Sequence, residues 1–428
     1  MSKSYHHITP SNKPANGVIS FKGGQPLLNF MIGEQDRYLL GSTIRLNGTF
    51  KVKKGHKVAI DADDKVSLDP RIGILSVIDM LTISTKRTNR TLEQIRHYGR
   101  FMSSYLPMTS GENDFIGPYS GLFGASINEQ QSKNQLLGAN GLQFSMPLMC
   151  GMFSGQNPIP LSMNWGLGGV TIQINLSPDL NVFKAAANTN AYYELSDVYL
   201  SCEIAIPPPA QLSQLMSQNS GQFEYNSISS YYDTINASYS TINFNLGLTR
   251  VLSLFVSFIR TSEVNNEEFN GFTTYPLRND EDGTLTVAAI TKVNFLRGGI
   301  KFPIQYQLES DPDVASINPQ LLRTYVNSIS TFTDVQRTCL SLQNTSNANK
   351  VGNFTLDGDG LSVFKGGPIY GVGVAFDAIS DLGADFSKLQ FGLVLESKLQ
   401  TDSPHGAYVF CHARNVLVYG PGGVNIIM

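Results

Sequence analysis

Charge is scarce in this chain. Only 15% of its 428 residues are Asp, Glu, Lys or Arg, and the formal net charge is −3. A protein that coats nucleic acid needs a basic face to neutralise phosphates, and this balance does not supply one. The local exception is the start, where Lys3, Lys13 and Lys22, with His6 and His7, precede the first acidic residue, Glu34. Without arginine, that stretch reads as an arm that is solvated or pinned to a neighbour.

Cysteine and tryptophan are equally sparse. Cys150, Cys202, Cys339 and Cys411 are too scattered for a disulfide framework, and no Cys-x-x-Cys pair occurs. Cys202 sits in the apolar phase of an alternating segment and reads as a small buried hydrophobe. Trp165 is the single tryptophan, which leaves little material for an exposed aromatic platform. The longest apolar run, Val251 to Ile259, is about half of what a bilayer span needs. The opening MSKSYHHITP has no apolar core of a signal peptide, so the expectation is a chain made in a reducing compartment and not secreted.

Catalytic and ligand-binding patterns are also missing. His6, His7, His56, His97, His405 and His412 show no His-x-x-x-His or His-Glu-x-x-His spacing, and only His405 and His412 flank a common strand. Asp357-Gly358-Asp359-Gly360 opens like a calcium loop but lacks the acidic residue at the twelfth position, so it reads as a tight turn. Asn279-Asp280-Glu281-Asp282-Gly283 reads as a solvated loop tip. Gly166-Leu167-Gly168-Gly169 has neither the spacing nor the following helix of a phosphate cradle. No catalytic residue, cofactor or metal ligand is assigned, and the expectation is a protein that is not an enzyme.

What the chain does have is alternation of period two from end to end, the mark of half-buried strands. Ile44, Leu46, Phe50 and Val52 share one face, as do Ile172, Ile174 and Leu176. Val198, Leu200, Cys202, Ile204 and Ile206 form an apolar row that runs into Pro207, Pro208 and Pro209. In the second half Ile242, Phe244, Leu246 and Leu248 alternate, and so do Ile300, Phe302, Ile304, Tyr306 and Leu308. Helix signals are few. Thr91 to Tyr98 offers an N-cap, Gln94 at the capping-box position and a Leu92/Ile95 stripe. Asn318 to Val326 carries Pro319 in its first turn.

Three consecutive prolines near the midpoint can lie in neither a helix interior nor a central strand, so they read as an inter-domain joint. The expected architecture is all-β, two tandem eight-stranded antiparallel units with a few short loop helices. Its boundaries are an arm at 1–17, a first unit at 18–206, a proline-led linker at 207–224 and a second unit at 225–428 with an apolar tail. A long, sparsely charged loop at 103–140 exceeds what minimal sandwiches need, which points to binding or packing against a neighbour.

Several segments, in order, resemble one family. GVISFKGG, YLLGSTIRLNGTFKV, the stretch LDPRIGILSVIDMLTISTKRTNRTLEQIRHYGRFM, MNWGLGGVTIQINL and YYELSDVYLSCEIAIPPP are similar to the first unit of double jelly-roll major capsid proteins. ITKVNFLRGGIKFPIQYQLE, YGVGVAFDAISDLGADFSKLQFGLVLESKL and GAYVFCHARNVLVYGPGGVNII are similar to the second. The resemblance is to those of small eukaryotic double-stranded DNA viruses: polinton-like viruses, adintoviruses and virophages. It implies two jelly rolls per chain and homotrimeric, pseudo-hexagonal capsomers tiling an icosahedral shell in the virion, assembled inside the host cell. Penton and minor capsid proteins are the implied partners. No sequence-specific nucleic acid is expected, and an internal membrane is left open. Val424, Ile426, Ile427 and Met428 are candidate contacts with neighbouring capsomers, although a tail tucked into its own domain is the plainer reading. The rival reading is a β-sandwich viral spike or carbohydrate-binding attachment protein.

Overall fold

Where branched and aromatic residues alternate with polar ones, the chain is extended, and each apolar row points into a sandwich. In Val170–Leu176 the burial alternates without a break, with Ile172, Ile174 and Leu176 inward. Ile44, Leu46, Phe50 and Val52 are buried in the long strand Tyr38–Lys54. Opposite it, Ala191–Ile206 buries Val198, Leu200, Cys202 and Ile204. The computed structural model describes residues 2–55, 58–60, 64, 66–69, 72–109, 141–155, 157–217, 220–272, 290–302, 307–309, 319–332, 354–356, 362–364, 371–376, 383–397, 404–420 and 423–427.

The first half is a sandwich of two sheets. One has Ser2–Ile8, Ala191–Ile206, Tyr38–Lys54 and Val58–Ala59 in that order, with Val18–Ile19, Leu142–Pro147 and Ile159–Pro160 added to its long strands. The other runs Thr91–Arg96, Ile78–Thr85, Val170–Leu176, Leu27–Ile32. The second half repeats the plan. Gly371–Ala375, Val251–Arg260, His405–Gly420 and Gly221–Ile235 form one sheet, and Tyr239–Phe244, Phe391–Ser397, Ile290–Arg297 and Ile300–Lys301 the other. Each sandwich is thus built on two through-paths of four strands, a double jelly roll.

Among the described residues every strand pairing is antiparallel but one. Gly221–Ile235 lies parallel to Thr91–Arg96, with Ser229 opposite Gln94. That contact merges one sheet of each half into a single nine-stranded sheet. Parallel neighbours need a long crossover, and here everything between residues 96 and 221 serves as it.

Several expectations change in detail. Residues Ser2–Ile8 are no free arm: they form an edge strand along Ala191–Ile206, with Ser2 opposite Ile206. The linker is shorter, because the next strand already starts at Gly221, and Pro209–Ser217 within it is helical. Thr91–Arg96 is a strand and not a helix. Its pairing with Ile78–Thr85 outweighs a local capping-box pattern. His97 then turns the chain in the left-handed region at φ 55°, and the helix Tyr98–Thr109 follows. That helix takes up the first part of the expected 103–140 loop. The helix at Pro319–Ser330 forms as its sequence suggests. Ile300, expected in an apolar row, is 71% exposed, because Ile300–Lys301 is a short strand after the Gly298-Gly299 turn. Residues 110–140, 273–289, 303–306 and Asp357 to Gly360 lie outside the described residues.

Candidate functional site: the seam and the two ends

The halves meet through a seam built mostly from one strand, one short helix and two longer helices. Glu93, in the middle of Thr91–Arg96, is buried. Its Oε1 accepts hydrogen bonds from the backbone N–H of Gly151 and of Ile228, both at 2.8 Å, and its Oε2 accepts one from Met152 N–H at 2.8 Å. Ile228 belongs to the second jelly roll, so one carboxyl group ties the first half to the second. Beside it Arg96 N–H donates to Ser230 Oγ at 2.6 Å, and Tyr225 Oη donates to Leu92 O at 3.0 Å. Burial pushes the Glu93 carboxyl up to about 7, offset in part by the three backbone donors.

Gly151 makes this approach possible. A Cβ there would lie 2.6 Å from Asn226 O and 2.7 Å from Ser227 Cα. The helix Gly151–Ser154 therefore rests directly on the backbone of Gly221–Ile235.

A shared aromatic core lies deeper. Phe101 of the first half has ring centroids at 5.5 Å from Phe410, 5.7 Å from Phe332 and 6.2 Å from Phe255, all of the second half. Tyr105 packs edge-on against Phe332. Aromatic pairs of this kind add about 0.5–1.5 kcal/mol each beyond the area that they bury. The core of the first jelly roll continues through these rings into the second, while a separate core fills the rest of the second half.

A strap from the second half completes the seam. Glu267 O accepts from Ala185 N–H, and Glu267 Oε1 accepts from Asn190 N–H. Asn270 Nδ2 donates to Asp69 Oδ2 at 2.6 Å, and Arg100 donates to Gly271 O while lying over the Tyr408 ring. Sequence reasoning found none of these residues as a group, because their partners lie far apart in the chain. The one signal available was a charged Glu93 flanked by apolar Leu92 and Ile95.

The joint itself is slight. Pro207 is buried, Pro208 and Pro209 are exposed, and the helix that Pro209 begins has no buried residue. Pro208 O accepts from Leu212 N–H, which closes the first turn. The tail is a strand, Gly423–Ile427, folded back on His405–Gly420. Val424 is 7% exposed and Ile426 packs on the core, whereas Ile427 is 57% exposed. Arg90 of the first half donates to Val424 O and to Asn425 Oδ1. Met428 lies outside the described residues.

Register places these features at one end. Ser2 pairs with Ile206, Tyr38 with Ala205, Gly221 with Tyr419 and Gly420 with Gly423. The start of the first strand, the linker and the turn into the tail therefore share a base, and the tail runs back up from it to Ile427 opposite Val416. At the opposite end Lys54 pairs with Ala191, Ile235 with His405 and Ile290 with Ser397. The residues that flank segments 273–289 and 398–403 stand there.

Among the described residues no group of three or more His, Cys, Asp or Glu is placed to hold a metal. His405 and His412 are both buried in one strand, but seven residues apart they point to opposite faces. His412 stacks on Phe332 at 4.6 Å, and burial pulls its imidazole down to about 3. Trp165 is 1% exposed and packs 5.0 Å from the Tyr38 ring, so it offers no surface platform.

No protein-family model matches the sequence, and no curated protein matches it. Solved structures do share its fold. The capsid of the PBCV-1 virus is similar with a TM-score of 0.59 at 11% identity, covering 100% of this chain and 97% of the other. The Faustovirus major capsid protein gives 0.59 at 9% identity over 98% and 90% of the two chains. The mavirus major capsid protein gives 0.53 at 9% identity over 99% and 90%. The whole chain, both halves in order, therefore has the double jelly-roll fold of these proteins.

Proposed function

We propose that this chain is a major capsid protein whose homotrimers form pseudo-hexagonal capsomers in an icosahedral viral shell. The observation that carries the reading is the pair of jelly rolls fused side by side with the same end down. The parallel pairing of Thr91–Arg96 with Gly221–Ile235 sets that common orientation. Three such chains around a three-fold axis give six upright sandwiches of similar height, which is the geometry of a tile.

In this reading the base, with the first strand's start, the linker and the turn into the tail, faces the shell interior and neighbouring capsomers. Exposed Ile427 and Met216 supply apolar contact there, while Pro207, Pro208 and Pro209 form the hand-over between the two jelly rolls. The opposite end faces outward or builds the trimer interface. Penton and minor capsid proteins fill the positions that a six-sided tile cannot. The buried position of Trp165 weighs against the attachment-protein alternative. No catalytic role is assigned.

Light scattering of the purified protein tests the reading. Three chains of 46.8 kDa give roughly 140 kDa, and burial well above 1,000 Å² per contact should make that species persist on dilution. A stable monomer at micromolar concentration is the result that would overturn it.

A further inference from the structure

The seam joins two different kinds of sheet edge. One is Thr91–Arg96, held on its other flank by Ile78–Thr85. The other is Gly221–Ile235, held by His405–Gly420, the long last strand of its jelly roll. The two edges run parallel, both from the base upward.

Each half has one edge of each kind, so the chain carries a second pair. The first half's counterpart of Gly221–Ile235 is Ser2–Ile8, which lies antiparallel to the long last strand Ala191–Ile206 and starts at the base opposite Ile206. The second half's counterpart of Thr91–Arg96 is Ile300–Lys301 with Gln307–Glu309, both held by Ile290–Arg297. This edge also climbs from the base, because Ile290 stands at the far end and the Gly298-Gly299 turn at the near one. Among the described residues no strand pairs with the free side of either counterpart.

Both free edges hold large apolar side chains in solvent: Tyr5 is 64% exposed and Ile300 71%. At the paired edges Leu92, Ile95 and Ile228 are all buried. An unpaired edge of this kind is a template for another chain. The neighbouring sheet faces differ in the same way. In the second half Phe255 and Phe410 are covered by Phe101, on the helix that follows Thr91–Arg96. In the first half, Asn47, Ser145 and Tyr199 instead line an open hollow of about 490 Å³.

We propose that Ser2–Ile8 of one chain receives the edge Ile300–Lys301 and Gln307–Glu309 of the next, in the parallel sense of the seam. The proposal rests on the trimer reading above and names the edges that join its chains. The occupant is a second copy because the chain itself supplies the complementary edge, and the seam is a worked example of how the two kinds fit. Each chain offers one edge of each kind, so the contact is head-to-tail and only a closed ring satisfies every edge. Tyr5 and Ile300 both lie on the lower part of their strands, so the pairing brings these two exposed side chains together.

Photo-crosslinking tests this, with Ile300 replaced by p-benzoylphenylalanine and the oligomer followed by light scattering on the same sample. The expected result is covalently linked chains on a denaturing gel, with adducts that peptide mass spectrometry places within residues 2–8. Adducts elsewhere, or none between chains, in a particle that still contains three chains would overturn the edge pairing and leave the trimer standing. A monomer would remove both. Ile300→Glu gives a second readout. Its side chain is exposed, so the chain should keep its fold by circular dichroism, while the concentration at which the trimer falls apart rises about tenfold or more. A trimer as persistent as wild type would overturn the proposal.

Discussion

At the scale of single residues, buried titratable groups pull the stability of this chain in opposite directions. His412 is fully buried against Phe332, and its imidazole is held at about 3, well under its ordinary 6.5. The folded state thus binds fewer protons there than the unfolded chain, so stability is full above 6.5 and is lost as pH falls toward 3. His97, lowered to about 4 by burial and by Arg100 and Arg96, adds to the same loss. Glu93 and Asp179, raised to about 7 and about 6 by burial, act the other way and favour the folded chain as pH falls. Their gain is complete once they are protonated in both states, near pH 4, and below that His412 and Asp385, whose carboxyl is held down by hydrogen bonds from Ser387, lower stability. The expected outcome is a shallow dependence between pH 6.5 and 4.5 and a steep fall beneath it. His412→Phe, which keeps an aromatic ring on Phe332, should flatten the acid limb in urea unfolding followed at pH 7, 5 and 4. An unchanged limb would show that His412 is not its source.

Elements decide how the halves are held, and here the linker and the seam have different duties. The prolines lead only into an exposed helix, whereas the seam has a strand pairing, a shared aromatic core and a strap. Replacing Pro207, Pro208 and Pro209 together with Gly should therefore leave the angle between the halves unchanged. Gly151→Ala should disturb it, because the added Cβ meets the Asn226 and Ser227 backbone and neither can move alone. Small-angle scattering of the two variants reads the difference. A wider particle from the triple-glycine variant, with Gly151→Ala unchanged, would give the angle back to the prolines. Element by element, the sequence spoke clearly where burial is local. The rows at 172–176 and 198–206 were legible because strand periodicity leaves a mark within a few residues. Thr91–Arg96 was read as a helix because Leu92 and Ile95 satisfy i, i+3 spacing, while the partner that makes it a strand lies at Ile78–Thr85. The seam was invisible for the same reason. Glu93 meets Gly151, Met152 and Ile228 only after both sandwiches have formed, and nothing near Glu93 in sequence announces them.

For the whole molecule, two sandwiches joined by a parallel strand pair stand with their bases together, with the start of Ser2–Ile8 and the linker below. In the proposed capsomer one chain is a two-sixths segment of a ring. The proposal has most of the lateral surface meeting other copies rather than water, in keeping with the scarcity of charge. Single-particle electron microscopy of the purified protein, viewed down its symmetry axis, tests this most directly. The expected image is a three-fold particle with a six-lobed, hexagonal outline and two adjacent lobes per chain. Isolated two-lobed particles, or closed assemblies without three-fold symmetry, would contradict a capsomer role for this chain.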